Sequence, residues 1–180
     1  MKVLILINKV GLGDCIIHVN YIHEISKKYG KPVSILAKEN TKAEDLFGDD
    51  PHIDEVITLD RLNDNSGGHD GLSGFFKLAR DIKEKKFDKV FIFNSSIRYF
   101  LICKFAGIKK IAQYPLFKKK GQHVVNTAKI FTENELNKIV SMQPKLLISE
   151  HKILKARKDI SRSHKNIVLG ISASGPTKRC

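Results

Sequence analysis

The chain of 180 residues has no tryptophan, two methionines and three cysteines, and each scarcity removes a class of protein. Cys15, Cys103 and Cys180 stand far apart, with neither a C-x-x-C pair nor metal-ligand spacing. A disulfide framework is excluded, no metal site is expected, and a reducing compartment fits. No run reaches the roughly 20 apolar residues that cross a bilayer. The apolar stretch at the N-terminus is too short for a secretory signal and leads into a turn and a helix. These absences predict a soluble cytoplasmic protein, peripheral to a membrane at most.

Two familiar phosphate-binding patterns are incomplete. Gly11-x-Gly13 lacks the third glycine of a dinucleotide fingerprint, where Ile16 stands, and Leu36-Ala37-Lys38 offers no acidic residue for a ribose. Gly170 and Gly175 have P-loop spacing, but Pro176 occupies the lysine position. A conventional NAD site and a P-loop are excluded. Lys178, after a strand and a run of small hydroxyl residues, still suits either phosphate binding or an ordinary strand-to-helix turn.

Charge is present in excess but unevenly. Net charge is +13, yet residues 1–60 hold 7 Lys against 10 Asp/Glu, so the surplus lies in residues 61–180. That asymmetry suits either a polyanionic partner (nucleic acid, a phosphorylated glycolipid or an anionic membrane surface) or lysines that merely coat the surface. Nucleic acid is disfavoured, because the basic residues are neither clustered nor interleaved with stacking aromatics.

Strand and helix patterns alternate. Strands are expected over residues 3–7, 33–37, 55–59, 89–93 and 110–113, and helices over 15–29, 41–47, 75–86, 96–106, 123–140 and 150–160. Residues 63–73, rich in Gly, Asn, Asp and Ser, read as a flexible loop. The alternation predicts an α/β, Rossmann-like, mainly parallel sheet with helices on both faces. Residues 1–160 read as one domain. Residues 161–180 read as a linker and the first strand, 166–171, and loop of a second, truncated domain.

Candidate site residues collect where strands end. Asp14 follows the Gly11-Leu12-Gly13 turn at a helix mouth, and is either a helix cap or a general base facing a cleft. Ser96, after Asn94-Ser95, has a cap reading as well. Arg98 lies unfavourably at the positive end of a helix, as though to meet an anion. His123 opens the next helix on the same edge, and Cys15 reads as a buried structural thiol.

Taken in order, these segments resemble glycosyltransferase family 9, the lipopolysaccharide heptosyltransferases. The carrying residues are Lys2–Asp14, Asp54-Glu55-Val56-Ile57-Thr58-Leu59-Asp60, Phe91–Arg98 with Phe105-Ala106-Gly107-Ile108, His123-Val124-Val125-Asn126, and Gly175-Pro176-Thr177-Lys178-Arg179. Cys180 stands where the family usually has tryptophan. The resemblance implies the N-terminal half of a GT-B fold and inverting transfer of a sugar, heptose, from a nucleotide-sugar donor such as ADP-heptose. The implied acceptor is a phosphorylated lipopolysaccharide-core glycolipid at the inner leaflet, and neither cofactor nor obligatory metal is implied. It assigns Asp14 as base, Gly13, Asn94, Ser96, Arg98 and His123 to the acceptor, and Ser174, Thr177 and Lys178 to the donor phosphates. It also implies that the truncated chain is inactive alone. The alternatives are a GT-B transferase with another donor and a basic nucleic-acid-binding α/β module.

Overall fold

Five consecutive apolar residues, rich in β-branched side chains and followed by a glycine-containing segment, fit a strand covered on both sides. Val3–Ile7 forms that strand, β1, with every residue at most 1 % exposed. The structure, a computed structural model, describes residues 1–8, 11–62, 66–115, 123–160, 165 and 167. Val33–Ala37 (β2), Ile53–Thr58 (β3), Lys89–Ile92 (β4) and Lys110–Gln113 (β5) join β1 in a sheet of order β3-β2-β1-β4-β5. All pairings are parallel. Leu4 sits opposite Ser34 on one side and Val90 on the other, so β1 is central and fully paired.

Alternation along β1 sends Val3, Ile5 and Ile7 to one face and Leu4 and Leu6 to the other. The first face is covered by α1 (Leu12–Tyr29), α2 (Ala43–Phe47) and α5 (Val124–Leu136), through residues such as Val19, Ile22, Phe47 and Phe131. The second is covered by α3 (Gly71–Glu84) and α4 (Ile97–Phe105), through Phe75, Leu78, Ile82, Tyr99 and Ile102. Truncating Leu4 to alanine at this depth would cost about 2–5 kcal/mol.

Residues 1–147 form one compact unit. A second unit, residues 148–180, contains α6 (Glu150–Asp159), whose N-terminus is capped by Ser149 Oγ accepting from the Lys152 N–H. The strand expected over 166–171 lies outside the described residues, apart from Ile167.

Several boundaries shift for identifiable reasons. Helix α1 begins three residues earlier than expected, because Gly11 is extended (φ −155°) and serves as its N-cap position. It ends as expected at Gly30, which takes the left-handed conformation (φ +63°). Helix α5 stops at Leu136, since Asn137 turns left-handed (φ +51°) and its N–H bonds the Glu133 carbonyl. The helix expected over 41–47 is broken at Lys42, also left-handed (φ +54°), into a 3₁₀ turn and α2.

The described part of the loop before α3, residues 66–70, is held to residues 60–62, just after β3, by hydrogen bonds. Buried Asp70 accepts from Arg61 Nε at 2.7 Å, from the Leu62 N–H at 2.9 Å and from the Gly67 N–H at 3.1 Å. The Arg61 guanidinium holds the Asp70 carboxyl below the usual carboxylate range. The Asp60 N–H donates to His69 Nδ1, so His69 Nε2–H faces Asp81 at 3.1 Å. Gly74 lets α3 lie on this loop, because a Cβ there would fall 2.3 Å from the His69 carbonyl carbon.

Candidate active site at the sheet's switch point

In an open parallel sheet the ligand crevice lies at the carboxyl ends of the strands where the winding direction reverses. Order β3-β2-β1-β4-β5 puts that point between β1 and β4. The β1 bank carries Asn8 and the start of α1, and the β4 bank carries Phe93, Asn94, Ser95, Ser96 and the start of α4.

Asp14 stands in the first turn of α1, three residues past the N-cap position, with its N–H bonded to the Gly11 carbonyl at 3.1 Å. Its carboxylate makes no cap bond and has no hydrogen-bond partner among the described residues. The simple cap reading is therefore set aside, although a carboxylate here still complements the helix dipole. A Cβ on Gly11 would lie 3.6 Å from Asp14 Oδ2, and one on Gly13 would meet nothing within 4 Å. The glycines thus leave the carboxylate's surroundings uncovered. Neither takes a positive φ, and Gly13 lies inside α1.

His18 fixes this turn. Its Nδ1–H donates to the Asp14 carbonyl at 2.6 Å, and its buried ring meets Phe93 edge-on with centroids 4.9 Å apart. One side chain therefore ties both banks together. Cys15, next along, is buried, and burial raises its thiol pKa despite a hydrogen bond with Thr41, while the Asp14 charge raises it further. It is an inert packing residue, as its position suggested.

On the opposite bank Asn94 Oδ1 accepts from the Ser96 N–H at 2.6 Å, closing an Asx turn. Gln113, at the end of β5, donates from Nε2 to the Asn94 carbonyl at 3.0 Å and the Ser96 carbonyl at 2.9 Å. Ser96 occupies the N-cap position of α4 without a side-chain cap bond, which leaves its hydroxyl for other contacts. Arg98 is already engaged: Nη2 donates to the carbonyls of His69 at 3.0 Å and Gly71 at 2.8 Å, and the guanidinium lies 5.6 Å from the Phe75 ring centre. These carbonyls offset its unfavourable place at the helix start.

His123 caps α5, its Nδ1 accepting from the Val125 N–H at 3.4 Å, one strand farther along the same edge. Tyr21 of α1 donates to the Val125 carbonyl at 3.1 Å and ties that helix start to the site bank. Ser174, Thr177 and Lys178 lie outside the described residues. The structure thus brings Gly13, Asp14, Asn94 and Ser96 to the two banks of one crevice, with Arg98 beside it in a clamp.

Three features of this edge had no sequence signal. Asn8 Oδ1 is buried without a hydrogen-bond partner among the described residues, immediately after β1. Gln113 positions the Asn94–Ser96 turn from a different strand. A groove of about 400 Å³ opens at the ends of β2 and β3, lined by Lys38, Glu39, Asn40, Lys42, Asp60 and Arg61. The basic excess lies in residues 61–180 and gave no hint of this groove, whose lining comes mostly from before residue 61.

No family model matches the sequence, and no curated protein does either. Solved structures do match. The chain is similar to a glycosyl transferase family 9 structure from Veillonella parvula DSM 2008, with TM-score 0.71 and 18% identity over 99% of this chain and 56% of that one. It is similar to E. coli ADP-heptose LPS heptosyltransferase II, with TM-score 0.62 and 17% identity over 90% and 52%. It is also similar to E. coli heptosyltransferase WaaC, solved with ADP-2-deoxy-2-fluoro heptose, with TM-score 0.51 and 13% identity over 82% and 51%. The chain spans about half the length of these structures. It therefore has the Rossmann-like α/β fold of about half of a GT-B glycosyltransferase chain, and its fold neighbours are a family 9 glycosyltransferase and two heptosyltransferases.

Proposed function

We propose that this chain carries the acceptor side of an inverting glycosyltransferase, with Asp14 as general base. The observation that carries the reading is the uncapped Asp14 carboxylate in the first turn of α1, at the switch point of the sheet. The glycosyltransferase fold of its structural neighbours supports the reaction class.

In this reading an acceptor hydroxyl lies against Asp14. As its oxygen attacks the anomeric carbon, its proton passes to the carboxylate. The bond from the anomeric carbon to the donor phosphate breaks, and its electron pair leaves with the nucleoside diphosphate. Attack opposite the leaving group inverts the anomeric configuration. ADP-heptose is the donor and a phosphorylated lipopolysaccharide-core glycolipid the acceptor, met in a bacterial cytoplasm at the inner membrane. Gly13, Asn94, Ser96 and His123 line the acceptor side, and Arg98 supplies a positive charge beside it. Ser174, Thr177 and Lys178 hold the donor phosphates, and the reaction uses neither a cofactor nor a metal.

The test is a transfer assay on the full-length protein with ADP-heptose and a core acceptor. Asp14→Ala is expected to lower kcat by roughly 100- to 10,000-fold while preserving the fold. Near wild-type turnover in that variant would overturn the assignment of the base.

A further inference from the structure

Burial of the inner sides of α3 and α4 against the sheet leaves a second apolar surface on their outer sides. On α4, Ile97, Leu101 and Phe105 recur at every fourth residue and are 60, 40 and 60 % exposed. On α3, Leu72 and Phe76 share that spacing and are 74 and 52 % exposed. Aromatic rings join the two rows. The centroids of Phe76 and Phe105 lie 5.9 Å apart, and both pack edge-on to Phe75, at 5.2 and 5.5 Å. Apolar chains exposed singly need no explanation, but contiguous rows across two helices mark an interaction surface.

The charge on this surface is almost all of one sign. Arg80 and Lys83 of α3 and Lys104 of α4 are exposed and have no ion-pair partner among the described residues, whereas the Lys77 ammonium lies over Gly68 beside the Asp60 carboxylate. Lys104 Nζ lies 5.8 Å from the centre of the Phe100 ring. The acidic residues of these helices are Asp81, which faces His69, and Glu84. Residues 71–110 as a whole hold 10 Lys/Arg against 3 Asp/Glu.

Phenylalanine and leucine set among lysines fit the boundary layer of an anionic bilayer, where apolar side chains enter the headgroup region and ammonium groups meet lipid phosphates. A second copy of this chain fits poorly, because a two-fold contact would oppose this basic face to itself. We infer that the outer face of α3 and α4 docks on an anionic lipid bilayer. Phe76 and Phe105 enter the headgroup layer, and Arg80, Lys83 and Lys104 meet the lipid phosphates. The inference goes beyond the transferase reading and stands without it, since docking requires neither donor nor acceptor.

The experiment is co-sedimentation of the full-length protein with vesicles of phosphatidylcholine alone and of roughly 3:1 phosphatidylcholine to phosphatidylglycerol. Wild type is expected to sediment with the anionic vesicles, less so as salt rises, and hardly with the neutral ones. The double variant Phe76→Ser with Phe105→Ser is expected to lower the partition coefficient roughly tenfold or more. Its thermal melting curve shows whether the fold is kept. Leu72→Ser, outside the ring cluster, is a second variant expected to weaken binding several-fold. Unchanged partitioning in both variants would overturn the proposal, as would equal binding to neutral vesicles. A dimeric mass in solution that Phe105→Ser abolishes would also overturn it, in favour of a second copy.

Discussion

Asp14 is defined by what its neighbours withhold. Gly11 and Gly13 place no side chain over it, and no backbone N–H among the described residues satisfies its carboxylate. The residues around it have structural duties that can be measured. Arg98→Ala removes two hydrogen bonds to the loop before α3 and is expected to lower stability by about 1–3 kcal/mol in urea denaturation. An Arg98 that acted only on an acceptor would leave that curve unmoved. Gly74→Ala forces a methyl against the His69 backbone and is expected to cost about 1–3 kcal/mol by the same measurement. Gln113→Ala frees the Asn94–Ser96 turn. If that turn binds acceptor, KM for the acceptor rises more than kcat falls. Arg98 was legible because a cation is odd at a helix start, and Asp14 because it follows the Gly11-Leu12-Gly13 turn at a strand's end. Gln113 was not, because an amide at a strand end looks ordinary until its partners from β4 are in view.

At the scale of the element, the far end of α1 holds a second polar cluster. His23 Nε2 donates to Asp50 Oδ2 at 2.6 Å, and the rings of His23 and His52 lie 4.6 Å apart. Ser26 Oγ donates to the Lys31 carbonyl, so His52 Nδ1–H donates to Ser26 at 3.1 Å. Burial, then the proximity of His23, pushes His52 below its ordinary value and outweighs Asp50. A base depressed in the folded state binds its proton more readily when unfolded, so its contribution is intact above about pH 6.5 and falls away below it. Burial pushes Asp50 up, but hydrogen bonds from His23 and the His52 N–H hold it below the usual range. Its contribution is present above its ordinary value and is lost at still lower pH. The expected outcome is a melting temperature that falls between about pH 7.5 and 5.5, with a shallower slope in His52→Asn. The elements themselves were largely visible: β1, β2 and β5 have the expected bounds, while helix ends moved wherever a left-handed residue or an extended glycine decided them.

At the scale of the whole molecule, the apolar periods of the sequence determined an alternating α/β chain with a buried central strand. They also determined that polar residues would gather after the strands. Both follow from local rules, since a strand buried on both faces must be apolar throughout and loops must be polar. Strand order was decided only by tertiary structure, because pairing joins segments some 80 residues apart, as Val3 with Lys89 shows. That order placed β4 beside β1, made the Gly11–Asp14 and Asn94–Ser96 turns two banks of one crevice, and let His18 bridge them. It also set α3 beside α4, so that Phe76 and Phe105, unremarkable in their own helices, became one exposed aromatic surface.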